Sequence, residues 1–261
     1  MSITTIEDNF VHYEVLGRGA PIIFIHSWFG SWRYWWPTMQ ALSRHHRTFA
    51  FDFWGYGDSG KVAAYYNFEA YLSMLPKFVD TLGITHPFTI VGHGLGAAVA
   101  LRYARIYPQK VDRLISVALP ITGRLINDQL KKSDPAGFLN RLMNRTSQYP
   151  ELAKEMAKTD AAAVSALLDQ LSFYDFTTDL LAIEIPILMI FGKRDSVVQR
   201  KANFKELIDQ AEKDHQVVIL DDCNHFPMLE QAAVFNRLLQ DFIHGNPSEI
   251  QPKRYWQRRT R

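Results

Sequence analysis

The segment Gly92-His93-Gly94-Leu95-Gly96 joins an apolar run, Phe88–Val91, to a stretch of helical pattern, and its glycine spacing is the sharpest chemical signal in the chain. A strand that turns into a helix through glycines on either side of one central residue holds that residue at a strained bend, with its side chain presented for nucleophilic attack. The central residue here is Gly94. The turn therefore has the shape for nucleophilic chemistry without the side chain to perform it. Glycine also removes the backbone strain, about 1–3 kcal/mol, that another residue carries at such a bend. A glycine-rich turn of this kind can instead cradle the phosphates of a dinucleotide. That fingerprint needs Gly-x-Gly-x-x-Gly in the first strand–helix–strand unit, whereas Ala97 holds the third position and the turn lies mid-chain.

Few other groups are reactive by type. Cys223 is the single cysteine, so no internal disulfide can form. No Cys/His spacing suggests zinc, and a reducing cytoplasm is the expected compartment. A lone cysteine in apolar surroundings packs more often than it reacts. Ser27 and Ser59 follow apolar runs and offer hydroxyls near the expected edge of a sheet. The cluster Trp28, Phe29, Trp32, Tyr34, Trp35 and Trp36 supplies aromatic surface. Trp35 and Trp36 read as core. Trp28 reads as the wall of an apolar pocket, matched by Phe138, Leu142, Met143, Phe173 and Tyr174 from later in the chain.

These residues must be held by the elements around them. Val11–Leu16, Pro21–His26, Arg47–Asp52, Phe88–Val91, Val111–Val117, Ile185–Phe191 and Gln216–Leu220 read as strands. Phe68–Leu82, Leu95–Tyr107, Lys201–Glu212 and Ala232–Ile243 carry apolar residues at helical spacing, and Pro108 stops the second. The alternation predicts an α/β fold, a mostly parallel central sheet flanked by helices. From 121 to 182 no strand pattern appears. Helices such as Ala153–Lys158 and Ala161–Leu171 predict an inserted cap over the C-terminal edge of the sheet, where open α/β sheets bind ligands. The expected organisation is a core of 1–120 and 183–247, a cap of 121–182 and a basic tail of 248–261.

Hydrophobic residues at 47% and charged ones at 21% exclude a disordered chain. Ile183–Phe191 and Pro21–Ile25 are far shorter than the roughly 18 apolar residues of a membrane-spanning helix, and the first residues show no secretion signal. The net charge of +2 conceals five basic residues in the tail, Lys253, Arg254, Arg258, Arg259 and Arg261, so the body is net negative. A body of that sign argues against nucleic acid as a partner. The tail reads as a solvated terminus.

With these elements in place, the chain resembles a capped α/β-hydrolase-fold protein over nearly its whole length. His26-Ser27-Trp28-Phe29-Gly30 resembles the family's His-Gly oxyanion loop, with Ser27 where glycine is usual. Asp52-Phe53-Trp54-Gly55-Tyr56-Gly57-Asp58-Ser59 resembles its Asp-x-x-Gly-x-Gly-x-Ser segment. Asp195, in Phe191-Gly192-Lys193-Arg194-Asp195, matches the acid position, and His225, in Asn224-His225-Phe226-Pro227-Met228-Leu229-Glu230, matches the histidine position. The resemblance places Gly94 at the nucleophile position. It implies an esterase-like acyl hydrolase with His225 as base, Asp195 as its orienting acid, and the N–H groups of Trp28 and Leu95 as oxyanion donors.

Ser27, His93, Phe138, Met143 and Phe173 are the expected ligand-contacting side chains, for a small hydrophobic ester or carbonyl compound, and no cofactor is required. Loss of the serine in such a site costs about 10⁶ in kcat and leaves roughly 10³–10⁴ over water. Serine-type turnover is therefore expected to be lost or very weak. The alternative is a ligand-binding or interaction protein that has kept the scaffold and lost turnover. Dehalogenation and epoxide opening need an aspartate at the elbow, which Gly94 excludes. Replacing Gly94 by serine is expected to lower the melting temperature and raise esterase activity.

Overall fold

The computed structural model describes residues 2–132, 150–200 and 215–245. The chain starts as a hairpin of Ser2–Ile6 (β1) and Asn9–Leu16 (β2), turned by Glu7 and Asp8, both with positive φ. Ala20–Ile25 (β3) follows, and then a 3-10 turn at Trp32–Trp35 that opens Trp36–Leu42 (α1). His46–Phe51 (β4) and Phe68–Thr81 (α2) come next. The start of α2 is set by Asn67, whose side chain accepts the Ala70 N–H at 2.8 Å.

Phe88–His93 (β5) runs through the glycine turn into Leu95–Ile106 (α3), and Val111–Val117 (β6) follows. Four helices lie between β6 and the next strand among the described residues: Asp128–Lys132 (α4), Pro150–Met156 (α5), Ala161–Leu171 (α6) and Thr177–Ala182 (α7). The chain closes with Ile187–Gly192 (β7), His215–Leu220 (β8), a short helix Pro227–Glu230 (α8) and Ala232–His244 (α9).

All these strands form one sheet in the order β1-β2-β4-β3-β5-β6-β7-β8. β1 and β2 are antiparallel to their neighbours; the others run parallel. A parallel sheet covered on both faces needs apolar residues at consecutive positions. β3 and β5 supply them: Ile22–Ile25 and Ile90–Val91 are fully buried. α3 packs on the sheet through small residues, and Ala97, Ala98, Ala100 and Ala104 are also fully buried.

The expected strands and helices are present within two or three residues wherever the structure describes them, with β1, α1, α4, α7 and α8 in addition. The expected helix Lys201–Glu212 and the basic tail lie outside the described residues. The helices between β6 and β7 sit over the loops that leave the C-terminal ends of β3 and β4. Asp160 N–H donates to the Gly55 carbonyl at 2.7 Å, Phe68 N–H to Gln170 Oε1 at 3.0 Å, and Ser31 Oγ to Glu155 Oε2 at 2.7 Å. No helix among the described residues is long and apolar enough to cross a membrane.

Candidate active site

At the turn from β5 into α3, Gly94 adopts φ +52° and ψ −110°. This is a left-handed backbone that side chains rarely tolerate. Its N–H donates to the Val117 carbonyl at 2.9 Å, and its own carbonyl accepts from Ala97 and Ala98, both at 3.1 Å. The bend is thus pinned to β6 on one side and to the first turn of α3 on the other. A Cβ at this position would fall far inside van der Waals contact of Ser27 Oγ and 3.0 Å from Trp28 Cζ3. The space a side chain would claim is occupied. A serine at position 94 needs the Ser27 hydroxyl to turn away and Trp28 to give by a few tenths of an ångström, and it carries the strain of the left-handed backbone.

Asp195 and His225 come from the loops after β7 and β8. Asp195 Oδ1 accepts the N–H groups of Val197 and Val198 at 2.8 and 2.9 Å, which fixes the carboxylate. His225 Nδ1–H donates to it, at 3.0 Å from Oδ2 and 3.2 Å from Oδ1. With the proton on Nδ1, Nε2 carries the lone pair. That atom is buried and has no hydrogen-bond partner among the described residues. An unsatisfied buried polar atom costs about 1–3 kcal/mol and calls for an explanation. A base awaiting a substrate proton is one.

Three residues that sequence reasoning did not single out hold the His225 loop. Glu230, at the end of α8, turns back so that Oε2 accepts Asn224 N–H at 2.7 Å and Oε1 accepts Phe226 N–H at 2.9 Å, gripping the backbone on both sides of the histidine. Asn224 Oδ1 accepts Ser196 N–H at 3.0 Å, tying the histidine loop to the aspartate loop. Gly192 lets the two loops meet, since a Cβ there would overlap the Asn224 carbonyl oxygen. The one sequence signal was the acid at the close of the Asn224–Glu230 run, which resembles a carboxylate capping a helix start.

His93 Nε2–H donates to the His225 carbonyl at 2.8 Å, and its Nδ1 accepts from the Tyr34 hydroxyl at 3.0 Å. That hydroxyl in turn accepts the Ser27 N–H at 2.8 Å. His26 Nδ1–H donates to the Ser27 carbonyl at 2.8 Å, while its Nε2 accepts Phe53 N–H at 3.0 Å. Burial holds the His26 imidazole below its ordinary range and the His93 imidazole well below it, so both are neutral. His93 was expected to touch ligand. Both its nitrogens are instead committed to protein, so it positions the backbones of residues 225 and 27. With its N–H and carbonyl both held, Ser27 has a fixed backbone, and its buried Oγ has no hydrogen-bond partner among the described residues.

Trp28 and Leu95 are fully buried beside Gly94. Leu95 is the first residue of α3, so its N–H has no carbonyl one turn earlier to bond. Trp35 is fully buried and Trp36 half-buried, in keeping with core. Phe173 requires correction: it is 89% exposed and walls no buried site. After α6 ends, the chain turns through Phe173 N–H to Gln170 O and Tyr174 N–H to Leu171 O, which sends Phe176 inward and Phe173 to solvent. Phe138, Leu142 and Met143 lie outside the described residues.

Neither remaining candidate nucleophile is available. Ser59 Oγ donates to the Asp52 carbonyl at 2.7 Å and accepts His12 N–H at 2.9 Å. Burial pushes the Cys223 thiol up to about 12, aided by Glu230 and Asp222, so it stays protonated. His12, Asp52 and Asp58 form one group able to hold a metal ion. The Asp52 carboxylate, however, already accepts the N–H groups of Trp32 at 2.7 Å and Asp58 at 3.1 Å, a staple between loops.

Comparison with known proteins bears on the fold. The chain is similar to a 2-hydroxy-6-oxo-2,4-heptadienoate hydrolase of Pseudomonas putida, 24% identical, with 87% of this chain and 90% of the relative aligned. The enol-lactonase from Burkholderia xenovorans has the same fold at a TM-score of 0.80 and 19% identity, covering 93% of this chain and 99% of that one. An esterase from Exiguobacterium antarcticum matches at 0.81 and 18%, covering 92% and 98%. The model of the alpha/beta hydrolase family matches residues 22–238. That span runs from β3 into α9 and takes in the loops that carry Ser27, Gly94, Asp195 and His225, and the chain belongs to the alpha/beta hydrolase family.

Proposed function

We propose that the protein hydrolyses a small ester, lactone or related carbonyl compound, with His225 as general base and Asp195 as the acid that fixes its tautomer. The observation that carries this reading is the His225 ring, with Nδ1 bonded to Asp195 and Nε2 buried and unpartnered among the described residues. In the family's acyl transfer, that nitrogen takes the proton of the attacking oxygen and returns it to the leaving group. The N–H groups of Leu95 and Trp28 would serve as the oxyanion donors, and donors preorganised for that charge are commonly the largest single contribution to such catalysis. Gly94 stands at the family's nucleophile position and offers no oxygen there. The related hydrolases named above act, by their names, on a dienoate and on an enol-lactone, which favours a carbonyl substrate here.

Gly94 also supports a second reading, a scaffold that binds such compounds without turning them over. Steady-state hydrolysis of a panel of short acyl esters and lactones separates the two. Turnover with saturation supports the hydrolase. Calorimetric binding of panel members with no product formed supports the binder.

A further inference from the structure

The proposed hydrolase leaves the attacking oxygen unassigned, and one hydroxyl lies in the space of the missing side chain. Ser27 Oγ is fully buried, unpartnered among the described residues, and lies in the volume that a side chain on Gly94 would fill. His225 Nε2 is buried and unpartnered as well. A single hydrogen-bonded chain holds both groups: Ser27 N–H to Tyr34, Tyr34 to His93, and His93 to the His225 carbonyl. The His93 and His225 rings lie 4.4 Å apart between centroids. Ser59, the other loop serine, spends its hydroxyl on the Asp52 carbonyl and the His12 N–H.

We propose that Ser27 is the nucleophile of this site, its hydroxyl working from the oxyanion loop in the space Gly94 leaves open; this rests on the hydrolase reading above. Ser27 Oγ bonds to the substrate's carbonyl carbon as its proton passes to His225 Nε2. The tetrahedral intermediate collapses, the bond to the leaving oxygen breaks, and the leaving group takes that proton. Water then adds to the acyl-Ser27 ester, gives a proton to His225, and releases the acid as the proton returns to Ser27 Oγ. Catalytic hydrogen bonds are often long in the absence of substrate and tighten in the complex.

The test uses an alkyl fluorophosphonate, which forms an Oγ–P bond with an activated serine while the P–F bond breaks, fluoride leaves, and the proton passes to the base. The full-length protein is labelled, digested and mapped by mass spectrometry. The expected result is an adduct on Ser27, absent in Ser27→Ala and slowed at least 100-fold in His225→Ala. No adduct on Ser27, or an adduct on another residue that still depends on His225, overturns the proposal. The exchanged protein Ser27→Gly/Gly94→Ser separates the failures. If it is labelled at position 94 while the wild type carries nothing on Ser27, the relocated nucleophile falls and the base of the hydrolase reading stands; labelling of neither overturns the relocated nucleophile, and turnover of the ester and lactone panel then decides the hydrolase reading. The adduct is read on the wild-type protein itself, so the role of Ser27 is decided even where a variant fails to fold.

Discussion

Gly94 and Ser27 can be understood only together. A side chain at 94 meets a left-handed φ and the Ser27 hydroxyl at once. Gly94→Ser alone is expected to lower the melting temperature by roughly 5 °C, from about 1–3 kcal/mol of backbone strain at about 2–4 °C per kcal/mol for a chain of this size. Adding Ser27→Gly is expected to recover part of that loss, because it removes the overlap and leaves the strain. Differential scanning fluorimetry of the three proteins checks the order, and a double variant less stable than Gly94→Ser contradicts it. Glu230→Gln removes one of two acceptors gripping the His225 loop and sets an amide against a backbone N–H. The expected cost is about 2 kcal/mol of stability, since hydrogen bonds to charged groups contribute about 1.5–3 kcal/mol, with hydrolysis at least tenfold slower. Urea denaturation and steady-state rates measure the two. At this scale the turn at Gly94 was legible in its glycine spacing after an apolar run, and the pairing of Asp195 with His225 through the resemblance to the family's acid and histidine positions. It could not reveal that Ser27 meets Gly94, because that contact joins loops 67 positions apart. Nor could it tell that His93 spends both nitrogens on protein, since only the fold sets Tyr34 beside it.

At the scale of elements, the parallel strands were readable because burial on both faces demands unbroken apolar runs. β1 was not: it is a five-residue edge strand with alternating exposure, and Ile3 is 64% exposed. Loop-to-loop fit also escapes a reading based on periodicity. Gly192 ends β7 against the carbonyl of Asn224, and Gly192→Ala forces the aspartate and histidine loops apart. This variant should keep its secondary structure, lose about 2 kcal/mol, within the range for overpacking, and lose more in kcat than in KM. Circular dichroism and kinetics together test that split; an unchanged kcat refutes it. α5 is fastened to the loop after β3 by Glu155, whose carboxylate is 5% exposed and binds Ser31 Oγ, Arg33 Nε at 2.9 Å and Lys158 Nζ at 3.3 Å. Glu155→Ala leaves these donors without their acceptor. The expected effect is faster proteolysis within the helices between β6 and β7, with the sheet core intact.

For the molecule as a whole, the buried imidazoles of His26, His93 and His46 are held below their ordinary range, first of all by burial. Well above pH 6.5 they are neutral folded or unfolded. Below it the unfolded chain takes up protons that the folded chain refuses, so stability falls as pH falls through and beneath 6.5. Each such histidine contributes a slope of at most about 1.4 kcal/mol per pH unit. Urea midpoints at pH 7.5 and 5.5 should show the decline, and a flat profile contradicts burial of neutral rings. The same interior holds the backbones of Ser27 and His225 in place beside the unpartnered His225 Nε2, the arrangement on which the proposed chemistry depends. The most direct test of that arrangement is hydrolysis of the best ester or lactone of the panel by the protein and by His225→Ala, side by side at equal enzyme concentration. The account predicts saturable turnover by the protein and at least a 100-fold lower rate in the variant, with the fold preserved. Equal rates in the two, or no turnover by the unaltered protein, would contradict it.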